Sequence, residues 1–172
     1  MEAINWYAIY VKSKHEFVAN EELGKKGIES YLPRIKKLRQ WKDRKKLVEF
    51  PLFPGYLFVR VNPNPSDFVR VLKARGVVSL VSAEAGCPVA VSNEEIDSLK
   101  IIVESGSDID IYPHLKAGTR VCIKRGALKG AIGSIVRKES EYLFLVNIEI
   151  LGRCIGVKVY ADDLCSTEFA YY

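Results

Sequence analysis

"EFPLFPGYLFVRVNP", Glu49 to Pro63, decides how the first half of the chain is read. Side chains alternate faces along a strand. In a strand from Gly55 to Val61, Tyr56, Phe58 and Arg60 therefore share one face, and Leu57, Val59 and Val61 share the other. The aliphatic set is a sufficient core face. Tyr56 and Phe58, with Phe53 just before them, are then surplus. Two arrangements account for them. Helices cover both faces of the sheet and bury the rings, or the rings form a docking surface. Aromatics anchor interfaces well because they bury much area at small entropic cost.

Around that strand the pattern alternates. "WYAIYV", Trp6 to Val11, reads as a strand. "SKHE", Ser13 to Glu16, has the spacing of a capping box and predicts a helix to Lys26 with Val18, Ala19 and Leu23 inside and Gly27 as its stop. Ile28 to Trp41 reads as one strand that turns basic. "WKDRKK" is its hairpin tip, and Lys45 to Phe50 returns. Asn64 caps a short helix with Pro65 at its first position, ending before Gly76. "VVSLVS" is the next strand. "SNEE", Ser92 to Glu95, opens a helix to Gly106 whose apolar stripe is Ile96, Leu99 and Val103. That stripe is either core, the commoner fate of a helix stripe and the favoured reading, or a cover for the second domain. Residues 1–106 thus form an α+β domain about one antiparallel sheet flanked by helices.

Residues 107–116, "SDIDIYPHLK", lack a period, contain Pro113 and read as a linker. From Ala117 the texture changes. Glycines at 118, 126, 130 and 133 punctuate a run rich in Val and Ile, and in "YLFLVNIEI" Phe144, Val146, Ile148 and Ile150 share a face opposite Asn147 and Glu149. Alternation with glycine turns predicts a second domain over 117–168, a small antiparallel β-barrel. The glycines at 126, 130 and 133 each disfavour helix by roughly 1 kcal/mol relative to alanine.

The 172 residues suit one domain or two small ones, and the composition, 48% hydrophobic and 27% charged, is ordinary for a globular chain. The N-terminus has no signal-peptide pattern and no apolar run reaches membrane-spanning length, so a cytoplasmic protein is expected. Cys87, Cys122, Cys154 and Cys165 form no CxxC pair and have no neighbouring histidine, which argues against a metal site and for reduced thiols. His15 and His114 are isolated, "GALKG" lacks the spacing of a phosphate loop, and Glu94 and Glu95 are explained by a helix start. No catalytic, metal or cofactor residues are expected.

The net charge is +5, but its distribution is uneven. Between Arg34 and Lys46 stand eight basic residues (Arg34, Lys36, Lys37, Arg39, Lys42, Arg44, Lys45, Lys46) and one acid, Asp43. Trp41 lies inside the run. A solvated hairpin explains the charges. A nucleic-acid interface also does, since cations neutralise phosphates and an aromatic stacks on an unpaired base.

Several of these segments carry a family resemblance. "GTRVCIKRGALKGAIGSIVRK", Gly118 to Lys138, resembles a KOW motif. Together with "WYAIYVKSKHE", "EFPLFPGYLFVRV", "RGVVSLVS" and "ILGRCIGVKV", in that order, it makes the chain similar to NusG family transcription elongation factors. "PLFPGYLFV" and "KARGVVSLVS" look most like the specialised RfaH-like and UpxY-like antiterminators, the latter associated with capsular polysaccharide operons. The resemblance implies a NusG-like N-terminal (NGN) domain and an SH3-like KOW barrel. It also implies a non-enzymatic, monomeric factor that docks on the clamp helices of RNA polymerase and suppresses pausing and termination. The implied docking residues are Tyr10, Pro51, Leu52, Phe53, Tyr56 and Phe58. Lys12, Lys14, His15 and Arg75 fall where such proteins face the non-template DNA strand. The basic run (Lys36, Lys37, Arg39, Trp41, Lys42, Arg44) is a second candidate contact to that DNA or to nascent RNA. Where RfaH carries a His-Thr-rich patch this chain has "SDFVR", Ser66 to Arg70. The KOW loop, Ile150, Leu151 and Arg153, stands where the family binds Rho or the ribosomal protein NusE, with Leu151 in place of an aromatic. A housekeeping NusG or a ribosome-associated KOW RNA-binding protein are the other readings.

Overall fold

The computed structural model describes residues 3–113, 118–123, 125–138 and 140–159. The chain divides into two compact units, Met1–Ala90 and Val91–Tyr172.

The first unit opens with β1 (Asn5–Val11), α1 (Glu16–Lys25) and β2 (Glu29–Tyr31), followed by β3 (Arg34–Gln40), β4 (Lys45–Pro51) and β5 (Tyr56–Val61). Then come α2 (Pro65–Leu72), β6 (Val77–Leu80) and the short strands β7 (Ser82–Glu84), β8 (Cys87–Pro88) and β9 (Ala90–Val91). The main sheet has the antiparallel order β2–β5–β1–β6. Tyr7, Ile9 and Val11 of β1 and Leu57, Val59 and Val61 of β5 pack against Ala19 and Leu23 of α1 and Val71 of α2. Phe68 of α2 meets Tyr7 edge-on, with ring centroids 5.1 Å apart.

The helix ends follow from local chemistry, with one difference from expectation. Asn64 caps α2 by accepting the Asp67 N–H at 2.9 Å, with Pro65 in the first turn. At the end of α1, Ile28 N–H donates to Leu23 O and Gly27 N–H to Gly24 O, with Gly27 at φ +70°, a Schellman stop. The capping box expected at Ser13–Glu16 does not form. His15 is the N-cap and makes no side-chain cap bond, while Glu16 turns inward to another partner. The strand expected over Ile28 to Trp41 is broken at Leu32–Pro33. Beyond the break, β3 and β4 leave the main sheet and pair only with each other among the described residues.

In the second unit α3 (Asn93–Glu104) precedes β10 (Ile109–Pro113), β11 (Thr119–Cys122), β12 (Ile132–Lys138) and β13 (Glu141–Ile148). A 3-10 turn at Glu149–Leu151 leads into β14 (Arg153–Val159). The strands form one five-stranded antiparallel sheet in the order β10–β14–β13–β12–β11. The capping box at Ser92 and Glu95 forms as expected. The buried stripe of α3 is Ile96, Leu99 and Ile102, with Val103 only half-buried. Buried Ser98 accepts the Ile132 N–H at 2.9 Å, Glu95 Oε1 accepts the Glu149 N–H at 3.1 Å, and Glu94 pairs with Arg120. The helix read as closing the first domain is therefore grouped with the second sheet.

Part of the segment read as a linker is a strand instead. Residues 109–113 pair with β14, and Pro113 ends this strand at the edge of the sheet, a position that tolerates proline. The alternation expected along β13 also gives way, since Leu143, Phe144, Leu145 and Val146 are all buried. The part of the expected barrel beyond residue 159 lies outside the described residues, as do His114 and Cys165.

Candidate binding surfaces

The aromatic stretch divides between core and surface. β5 is a central strand, and Phe58 lies between Ala8 of β1 and Tyr31 of β2, its ring stacked on Tyr31 at 6.5 Å. Phe58 and Phe53 have no exposed area, Leu52 is 1% exposed, and Trp6 and Ala8 on the same side of the sheet are buried too. Leu52, Phe53 and Phe58, expected at a docking face, are buried in the structure of the whole chain. Pro51 is half-buried.

What remains outside is Tyr10, 42% exposed, against half-buried Tyr56, with ring centroids 5.5 Å apart and the planes tilted by 54°. The two are register partners at the end of the β1–β5 ladder. Their position is set by Gly55, at φ +85°, where an added Cβ would lie 3.2 Å from the Tyr10 ring. Gly55 O accepts the Val11 N–H at 2.9 Å, and Gly55 N–H donates to buried Glu16 at 2.9 Å.

Directly after Tyr10 the chain enters a cationic loop cluster. Lys12 N–H donates to Gly76 O at 2.8 Å and so joins the β1–α1 loop to the α2–β6 loop. His15 N–H donates to Lys12 O at 2.9 Å, and His15 Nδ1–H to Ser13 O at 3.0 Å. Lys14 takes the left-handed conformation, φ 61°. The fold thus brings Lys12, Lys14, His15 and Arg75 together across some sixty residues of sequence. The lysines and Arg75 are exposed, and among the described residues they pair with no carboxylate. Phe17, 40% exposed on the first turn of α1, adjoins this cluster. The sequence reading missed it because a lone Phe at a helix start has no distinguishing pattern.

The other predicted cations stand on the β3–β4 ribbon. Lys36, Lys37, Arg39, Lys42 and Arg44 are exposed, and Trp41 at the tip is 56% exposed, its N–H donating to Arg44 O at 2.8 Å. Leu38 and Leu47, register partners and 62% and 56% exposed, were not anticipated. In the second unit Ile150 and Leu151 lie in the 3-10 turn and Arg153 begins β14 after Gly152, which has φ +59°; all three side chains are half-buried.

Residues 4–100 match the family model described as transcription termination factor NusG. The chain belongs to the NusG family. Among curated NusG family members, the transcription termination/antitermination proteins NusG of Chlamydia trachomatis and Chlamydia muridarum are each 27% identical to it over 145 residues, covering 76% of both chains. A solved structure titled as domain interaction in Thermotoga maritima NusG aligns over 94% of this chain and 96% of its own, at 23% identity and a TM-score of 0.50. That likeness concerns the fold, a sheet-rich α+β chain with few helices, and the first unit fits the NGN domain expected of NusG family members.

Proposed function

We propose that the protein is a specialised transcription antitermination factor that docks on the clamp helices of RNA polymerase. There it suppresses pausing and termination by binding the closed, active state more tightly than the open one. The observation that carries this reading is the pair of exposed Tyr10 and half-buried Tyr56 at the end of the β1–β5 ladder, beside the loop cluster of Lys12, Lys14, His15 and Arg75. An amphipathic aromatic pair is a suitable anchor for a helical partner. The neighbouring cations suit the non-template DNA strand that such a position would face.

The specialised, RfaH-like or UpxY-like assignment rests on "PLFPGYLFV" and "KARGVVSLVS", and with it a role at capsular polysaccharide operons. The turn at Ile150, Leu151 and Arg153 is the place where the second unit, as a KOW domain, would meet NusE or Rho. The mechanism needs no bond chemistry.

The test is a pull-down of cognate RNA polymerase by the full chain beside its Tyr10→Ala/Tyr56→Ala double variant, with circular dichroism as the folding check. Loss of binding in a folded variant supports clamp docking. Equal binding by both removes the aromatic pair from the interface. Transcription in vitro on the protein's own operon leader and on an unrelated template then separates a specialised factor from a general one.

A further inference from the structure

The β3–β4 ribbon has two chemically different faces. Register partners in an antiparallel pair share a face, and faces alternate along the strand. One face carries Ile35 with Phe50, Lys37 with Val48, and Arg39 with Lys46. The other carries Arg34 with Pro51, Lys36 with Glu49, Leu38 with Leu47, and Gln40 with Lys45. On this second face Leu38 and Leu47 stand directly opposed, 62% and 56% exposed. A lone exposed leucine needs no explanation, but two in register form one continuous apolar ridge. Cations bound the ridge at both ends. Toward the root, Glu49 meets Arg34 at 3.2 Å and Lys36 at 4.0 Å. Toward the tip, Lys45 has no ion-pair partner among the described residues. Three cations thus share one carboxylate on this face.

We propose that the leucine face is a docking site for an acidic amphipathic helix of a partner protein. The helix covers Leu38 and Leu47 with its apolar stripe and reaches Lys36 and Lys45 with its carboxylates. The proposal goes beyond clamp docking and does not depend on it. The charge around the ridge selects the occupant. A second copy of the ribbon would bring its own cations against Arg34, Lys36 and Lys45, and like charges across an interface oppose association. Phosphates alone would meet the cations and leave both leucines wet. A segment with apolar residues and carboxylates satisfies both parts of the surface at once. The shape selects its conformation. The ribbon's free backbone groups lie along its outer edges, where an extended peptide would add as a further strand and leave the leucine face open. A helix packs on the face itself. Lys36 and Lys45 each stand two residues along a strand from a leucine, about 7 Å. Neighbours on a helix surface are about 5–6 Å apart, so carboxylates beside an apolar stripe fall within reach of those lysines.

The experiment titrates the full chain, methyl-labelled at leucine, with three synthetic helices of about 18 residues. The first carries a stripe of leucines on a glutamate background. The second has lysine in place of glutamate, and the third has serine in place of leucine. The first should shift the Leu38 and Leu47 methyl resonances in NMR, and the other two should bind about tenfold or more weakly. Leu38→Thr/Leu47→Thr keeps strand-forming residues and should weaken the first peptide by about tenfold or more, with ribbon amide shifts as the folding check. Lys37→Gln/Arg39→Gln, on the opposite face, should change its binding little. Failure of the first peptide to bind overturns the proposal, as does binding that leaves the two methyls or the double leucine variant unaffected. Equal binding of the serine peptide overturns it too and reduces the face to its charge. Sedimentation velocity completes the test: a dimer lost in the double leucine variant assigns the ridge to a second copy instead. No polymerase is present, so either outcome leaves clamp docking to its own test.

Discussion

Glu16 Oε1 accepts the backbone N–H of Gly55 at 2.9 Å in a buried position, joining the start of α1 to the turn before β5. The bond takes the carboxylate away from the helix cap its spacing predicts. It also fixes the residue whose carbonyl holds Val11 and whose Cα faces the Tyr10 ring. Glu16→Ala leaves the Gly55 N–H buried without an acceptor and should cost about 1–3 kcal/mol in urea unfolding. Glu16→Gln keeps an acceptor and should cost less. Equal losses from the two would show that packing, not the hydrogen bond, holds this turn.

Gly55→Ala tests the same turn from the other side. At φ +85° a side chain strains the backbone by roughly 1–2 kcal/mol. The new methyl also presses on Tyr10, so the variant should lose stability and disturb the exposed ring pair together. A shift of the Tyr10 aromatic resonances in NMR is the direct readout.

Core and surface aromatics should separate cleanly by stability. Phe58→Ala empties a fully buried site and should cost about 3–5 kcal/mol. Tyr10→Ala, on an exposed ring, should cost about 1 kcal/mol or less. Chemical denaturation of both variants decides this; similar losses would mean that Tyr10 is structural.

The thiols should differ in reactivity. Burial pushes the Cys154 thiol up to about 11, whereas Cys87 is exposed. At pH 8 iodoacetamide should modify Cys87 readily and leave Cys154 until the protein unfolds, as read by peptide mass spectrometry. Because the folded state holds the Cys154 proton more tightly than the unfolded state, that site's contribution to stability is complete below the unfolded thiol's range. It is lost as pH rises toward about 11. Rapid labelling of native Cys154 would contradict the burial.

In the second unit, Ser98→Ala removes the acceptor of the Ile132 N–H from a buried site. The expected loss is about 1–3 kcal/mol, with faster amide exchange at Ile132. Unchanged exchange there would mean that α3 is held by its apolar stripe alone.

The elements most legible in the sequence were those with strong local chemistry. Asn64–Pro65, Ser92–Glu95 and Gly27 marked helix ends because capping and left-handed stops depend on a few adjacent residues. Glu16 was misread for the complementary reason: its partner is thirty-nine positions away, and nothing local distinguishes a cap from a distant bond. Pro113 was read as a break, but an edge strand tolerates it. The aromatic stretch posed a choice between core and docking face that periodicity cannot make, since both place Phe58 opposite Val59. Burial divides the stretch, and the exposed Leu38–Leu47 and cationic Lys37–Arg39–Lys46 faces follow from a register that only the pairing supplies.

The ribbon is also a cantilever. Seven register pairs carry its tip roughly 20 Å from its root. At that root the Leu52 N–H donates to Pro33 O at 2.8 Å. A load applied near Trp41 arrives as torque on residues 51–55, the short segment that ends at Gly55 and its bond to Glu16. Whatever grips the free end therefore has mechanical access to the turn beneath Tyr10 and Tyr56, so stiffness in that turn decides how far a pull at one end is felt at the other.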